Sequence, residues 1–261
     1  MPQRVQSILI TGASSGLGAA LARHYAAPGV TLALTGRDSA RLDAVAADCR
    51  AKGATVLNGV LDVRDAPAVT AFVESADRQA PIDLVIASAG VSAGTGISGS
   101  TGKGDEPPEQ ARRITDINID GVLNTVEPVL AAMRRRGRGQ IALLSSLAGF
   151  RGFPGAPAYC ASKAWVKTWG EGLRGHLHGE GIGVSVICPG FVKTPMTDSN
   201  GFPMPFLWSP EKAARVMARG LARNKARIAF PWPLYWLVWY LGALPPWLTD
   251  RLFRKLPAKP A

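Results

Sequence analysis

A chain of 261 residues allows one large domain or two small ones and is long enough to bury a sizeable core. At 47% apolar and 19% charged, with 29 Gly and 20 Pro in no regular period, it is neither disordered nor fibrous, and three Cys with no CxxC pair and only three His argue against a disulfide framework and a Cys- or His-built metal centre. The net charge of +11 is lopsided, since ten Lys/Arg stand against Glu211 and Asp250 from Ser209 onward, and this one-ended excess does not point to nucleic acid.

Residues 1–7 carry no cationic lead followed by a long apolar core, so no secretory leader is expected and the expected location is the cytoplasm. Short β-branched or apolar runs at 5–11, 30–35, 55–60, 82–87, 140–145 and 184–188 alternate with helical patterns such as 38–52, where Leu42, Val45, Ala46 and Cys49 recur at helical spacing. This alternation predicts an α/β fold, a single Rossmann-like doubly wound parallel sheet of about seven strands with helices on both faces. Residues 1–230 read as one catalytic domain and 231–261 as an apolar, basic extension. A stretch at 91–108 with five Gly reads as a mobile loop. Arg134, Arg135, Arg136 and Arg138 read as a solvated helix end.

The first strand ends in Thr11-Gly12-Ala13-Ser14-Ser15-Gly16-Leu17-Gly18 and leads into an Ala/Leu-rich helix. A glycine-lined turn at a helix N-terminus suits an anion: Gly12 permits the tight turn, Gly16 lets a pyrophosphate approach, and Gly18 allows close helix packing. Further along, Tyr159-Cys160-Ala161-Ser162-Lys163 places a phenol and an ammonium on one helical face. Ser145 and Ser146 lie at the end of the fifth run, and strand alternation points their hydroxyls to opposite faces.

The TGxxxGxG spacing resembles that of the short-chain dehydrogenase/reductase family, in its subfamily of about 250 residues. The other marks follow in order: Asp62-Val63, Ala89-Gly90, Asn118, Ser146, Tyr159 with Lys163, and Pro189-Gly190 with Thr194. The resemblance covers nearly the whole chain and implies a catalytic set of Asn118, Ser146, Tyr159 and Lys163. In that set Tyr159 exchanges a proton with a carbonyl oxygen, which Ser146 holds. Lys163 and an oxidised nicotinamide ring lower the pKa of the phenol, and Asn118 holds a water that feeds a proton relay. The implied nucleotide set is Gly12, Ser14, Ser15, Gly16, Leu17, Gly18, Arg37, Asp62, Val63, Ala89, Gly90, Tyr159, Lys163, Pro189, Gly190, Val192 and Thr194. Within it Asp62 and Val63 lie at the adenine, Gly90 near the ribose, Lys163 on the nicotinamide ribose and Thr194 at the carboxamide.

At the end of the second strand, where an acidic residue would bond the adenosine ribose of NAD, this chain has Gly36 followed by Arg37. Space and positive charge favour the 2′-phosphate of NADP(H) over NAD(H). One departure from the family is Ala87-Ser88-Ala89-Gly90 in place of Asn-Asn-Ala-Gly; Ser88 is the residue expected to replace one of the lost hydrogen bonds.

The stretch 191–208 holds Met196, Phe202, Met204, Phe206, Leu207 and Trp208 where the family varies its substrate lid, which implies a small apolar substrate. Residues 228–248 carry no charge, four Trp and four Pro. The eleven apolar residues 234–244 are too short to span a bilayer, and the prolines are read as cutting the segment on both sides. Aromatic residues followed by Arg251, Arg254 and Lys255 suit an anionic membrane surface, contacted through 231–256 from the cytoplasmic side; a subunit contact or a cap over the site would also bury them. The residues thus point to an NADP(H)-dependent oxidoreductase interconverting a ketone and a secondary alcohol on an apolar, lipid-like molecule. Two alternatives stay open, a reductase of carrier-bound 3-oxoacyl chains and a non-catalytic NADP-binding scaffold at a membrane. A homodimer or homotetramer is implied by the resemblance.

Overall fold

Successive strand residues face opposite ways, and all five residues of β1 (Ser7–Thr11) are buried, so Ile8 and Ile10 enter one core while Leu9 enters another. A parallel sheet covered on both faces requires this two-sided burial. Residues 5–95, 105–198 and 200–253 are described by the computed structural model. β1 lies between β2 (Thr31–Gly36) and β4 (Leu84–Ala87), β3 (Thr55–Val60) lies outside β2, and β5 (Gly139–Leu144), β6 (Ile182–Pro189) and β7 (Arg227–Phe230) follow β4 in order. Every pairing is parallel. The fold is therefore the expected doubly wound α/β sheet, with seven strands.

Helices α1 (Gly16–Tyr25), α2 (Ser39–Ala51) and α8 (Pro210–Ala222), the last preceded by the short α7 (Pro195–Asp198), cover one face through Leu21, Leu42 and Met217. The other face is covered by α3 (Ala66–Gln79), α5 (Gly121–Arg136) and α6 (Pro157–His176) through Val73, Val126 and Val166. Asp38 caps α2 through the amide of Arg41 at 3.0 Å, Asp65 caps α3 through Ala68 at 3.0 Å, and Ser209 caps α8 through Lys212 at 3.2 Å. Each cap satisfies an amide that the first turn leaves without a partner. The arginine run ending α5 is solvated as expected at Arg134, Arg135 and Arg138, and Arg136 is the part-buried exception. Arg136 pairs with Asp77 at 2.7 Å and donates to the Ile82 carbonyl, and Arg134 pairs with Glu180 at 2.8 Å.

β7 was hidden in the sequence because its four residues run without a polar break into the apolar segment that follows. Of the stretch 91–108, residues 91–95 and 105–107 carry no helix or strand, α4 (Pro108–Thr115) starts at its end, and 96–104 lie outside the described residues. The strand order reverses between β1 and β4, and in such sheets the loops leaving the two carboxyl ends diverge and open a crevice. Thr11 ties those ends together: its Oγ1 accepts from the amides of Ser88 at 3.3 Å and Ala89 at 3.4 Å. Among the described residues this bond comes from Thr11, and the Ser88 hydroxyl does not replace the missing amide.

Beyond β7 the chain forms α9 (Trp232–Ala243) and α10 (Pro246–Phe253). Pro233 stands in the first turn of α9, where a missing N–H costs nothing, so a proline expected to cut the segment instead helps to start it. Among the described residues no helix is long and apolar enough to cross a membrane.

Candidate active site

The crevice above β1 and β4 is a cleft of about 660 Å³, lined at one end by the Gly12–Gly18 turn and at the other by Ser146, Tyr159 and Lys163. Two glycines make the turn possible. Gly12 has φ +67° and a Cβ there would lie 2.7 Å from the Cα of Ala89, while a Cβ on Gly18 would strike the carbonyl oxygen of Gly12. Ser15, the N-cap of α1, makes no side-chain cap bond. Unlike α2, α3 and α8, this helix presents its first-turn amides and the positive end of its dipole to the cleft, which fits a phosphate group.

At the far side, Gly36, Arg37, Asp38 and Arg41 form the rim with Asp62 and Val63. Arg37 is half exposed and pairs with Asp62 at 4.0 Å. Arg41, which the sequence reading missed, pairs with Asp38 at 2.9 Å; its signal was its place in the first turn of α2, directly after the Gly36-Arg37 rim. Asp62 is held by Arg64 at 2.8 Å, and that hydrogen bond keeps its carboxyl below the usual carboxylate range.

The proton-handling end is built by β5, by the 3-10 turn Leu147–Phe150 and by α6. Ser145 is buried and donates to the Lys163 carbonyl at 2.7 Å. Ser146, pointing the other way, accepts from the Ala148 amide at 3.1 Å and hydrogen-bonds Tyr159. Lys163 is buried and donates from Nζ to the Leu144 carbonyl at 2.9 Å, with that nitrogen 5.9 Å from the centre of the Tyr159 ring. Burial pushes the Lys163 ammonium down to about 8. Burial also pushes the Tyr159 phenol up to about 12, against a smaller downward pull from Ser146. Burial is thus the dominant influence on the phenol of the chain alone, and Ser146 is the group that pulls it down.

Asn118 does not line the cleft. It is fully buried in a π-turn, Asp116–Asp120, between α4 and α5, and its side chain clamps Val91, accepting from the amide at 2.8 Å and donating to the carbonyl at 2.9 Å. Its Nδ2 also donates to Ser162 at 3.0 Å, and the Ser162 hydroxyl donates to the Tyr159 carbonyl at 2.8 Å. Ser162 was not singled out from the sequence, although it lies inside the Tyr159–Lys163 motif. The side chain of Asn118 thus joins the backbone after β4 to the start of α6. Asn118→Leu, which keeps the branching of the side chain and deletes these bonds, is expected to destabilise by about 2–3 kcal/mol. A drop in melting temperature of about 5–10 °C would be the check.

The remaining expected nucleotide residues, Ser14, Ser15, Gly16, Leu17, Ala89, Gly90, Pro189, Gly190, Val192 and Thr194, all line the same cleft. The stretch 191–208 is closed at its ends by a bridge between Val192 and Trp208 and by bonds from the Trp208 amide to Phe191 and from the Lys193 amide to Trp208. Val192 is buried within it, and Phe206 and Leu207 are exposed.

The profile of the short chain dehydrogenase family matches residues 6–202. An uncharacterised oxidoreductase of Myxococcus xanthus is 41% identical over 252 residues, 96% of this chain and 97% of that one. A putative ketoacyl reductase of a monensin polyketide synthase, from Streptomyces virginiae, is 38% identical over 191 residues, 72% of this chain and 71% of that one. Among solved structures, a short chain dehydrogenase from Mycobacterium paratuberculosis bound to NAD aligns with a TM-score of 0.73 and 26% identity, covering 86% of this chain and 94% of that one.

Proposed function

The chain belongs to the short chain dehydrogenase family, and from that membership we propose that it is an NADP(H)-dependent oxidoreductase interconverting a ketone and a secondary alcohol on an apolar, lipid-like substrate. The observation that carries this reading is the meeting of Ser146, Tyr159 and Lys163 at one end of a cleft whose other end is an uncapped, glycine-lined helix N-terminus. The residues fit a dinucleotide: the α1 turn would hold its pyrophosphate, Asp62 and Val63 the adenine, Arg37 and Arg41 a 2′-phosphate, and Lys163 the nicotinamide ribose. When bound, the dinucleotide supplies or takes up the hydride. Ser146 holds the substrate oxygen and Tyr159 gives it a proton, or removes one in the reverse direction.

An apolar substrate is supported by Phe206 and Leu207, exposed in the lid segment. Unbranched 2-ketones of increasing chain length, assayed with NADPH, test this. The expected result is a kcat/KM that climbs by roughly fourfold per added methylene, the value of about 0.8 kcal/mol of burial, until the pocket is full. A flat series would remove the apolar reading.

Reduction of a carrier-bound 3-oxoacyl chain is a second reading, favoured by the ketoacyl reductase relative and by the net charge of +11, which would attract an acidic carrier. A carrier-linked 3-oxoacyl thioester reduced much faster than the same acyl chain on a small thiol would favour it.

A further inference from the structure

Ten large apolar side chains are exposed among the described residues; seven of them lie in α9 and α10, and two more are Phe206 and Leu207. Of the twelve residues of α9 only Val238 is fully buried, and none is charged. A helix apolar on every side normally ends up inside a protein or in lipid, and concentrated exposure of this kind marks a contact surface. It is not a span, because twelve residues reach about 18 Å against a hydrocarbon core of about 30 Å.

The surface is fixed beside the cleft and does not hang from the domain. Leu234 packs on Leu147 and Cys188, Tyr235 meets Phe150 edge-on with ring centres 5.6 Å apart, and Gly242 rests on the Phe150 carbonyl. Arg151 pairs with Asp250 at 3.8 Å and hydrogen-bonds Thr249, which anchors α10 to the same turn. That turn begins one residue after Ser146. On the other flank, Trp208 stacks on Phe230 at 4.9 Å, so the exposed lid residues Phe206 and Leu207 and the exposed Trp232 all leave the fold within two residues of one contact.

We propose that α9 and α10 seat the protein in the headgroup layer of an anionic lipid bilayer, with the mouth of the cleft turned toward substrate dissolved in that layer. Trp and Tyr favour this depth. Charge decides between the two occupants that an aromatic surface could take. A second copy of this chain would bring a further +11 against the first, whereas anionic lipid complements it. The lipid-side entry rests on the reading of an apolar substrate; the seating itself does not.

The test is flotation of the full chain with vesicles of phosphatidylcholine alone and of phosphatidylcholine containing phosphatidylglycerol. Binding is expected to the anionic vesicles, weakened by salt, with tryptophan emission shifted to shorter wavelength. Trp232→Ser with Trp247→Ser removes the two most exposed rings, at 72% and 77%, and should lower the vesicle partition coefficient at least tenfold. The same variant should keep its circular dichroism melt and its turnover of a short, water-soluble ketone, and lose the faster turnover of a long-chain ketone carried in anionic vesicles. Failure of the full chain to float with anionic vesicles overturns the proposal, as does self-association abolished by the double variant with no lipid binding, which would make the surface a contact between copies. If neither ketone turns over while flotation behaves as expected, the substrate reading fails and the seating stands.

Discussion

Replacing Tyr159 by Phe is expected to lower turnover by about 10²–10⁴-fold, the worth of a positioned proton donor, with NADPH affinity changed by less than about twofold. The ring of Tyr159 stays in place in the variant, since its position is set by α6 and by Ser162 under its carbonyl; only the hydroxyl beside Ser146 is lost. With the phenol pushed up to about 12, it is protonated at neutral pH in the free chain and is a ready donor for reduction. Alcohol oxidation needs the phenolate, so its rate should climb with pH where the reductive rate does not. The Lys163 ammonium, held down to about 8 by burial, loses its charge as pH rises through that value, and the reductive kcat/KM should fall with it. Lys163→Arg keeps the charge to far higher pH and should move that fall out of the neutral range. Turnover retained by Tyr159→Phe would end the proton-transfer assignment.

Arg37→Asp is expected to weaken NADPH binding by about 10–100-fold, with NADH binding changed by less than about threefold. Arg37 is only loosely paired, with Asp62 at 4.0 Å, whereas Arg41 is engaged with Asp38 at 2.9 Å, so a phosphate at this rim would draw first on Arg37. The guanidinium is half exposed, which keeps its contribution at the lower end for a charge-assisted bond; the added carboxylate contributes repulsion of its own. Arg41→Ala should produce a smaller loss, because Asp38 already neutralises it. Fluorescence titration with each nucleotide reads both effects. Equal affinities of the unaltered chain for NADPH and NADH would take Arg37 out of the site.

Much of this was legible in the sequence wherever the chemistry depends on neighbours along the chain. The Gly12–Gly18 turn, the Tyr159–Lys163 spacing and the alternation at Ser145 and Ser146 are local patterns, and local patterns survive folding. Features set by distant partners were not legible. Asn118 reads as one more polar residue in a helix, yet it is buried because Val91 and Ser162 converge on it from two other elements. Arg136 reads as solvated until Asp77, 59 positions away, is brought beside it. Pro233 reads as a break because its position within a helical turn cannot be known before the turn exists, whereas Pro245 does separate α9 from α10 as expected.

The π-turn at 116–120 has a consequence for how this part of the chain tolerates change. Five-residue closure inserts one residue beyond the ordinary ladder, and one residue is worth about 100° of rotation about the axis. The two helical halves are therefore out of phase: α4 buries Ile114 and α5 buries Val122, Val126 and Met133, and Asn118 faces inward at the point where the phase changes. Removing a single residue between 115 and 121 would restore an uninterrupted helix of good local geometry, and would swing one half about its axis and carry the amide away from Val91. Point substitutions in this region act on single bonds, whereas a one-residue deletion resets the angular bookkeeping of two helices at once.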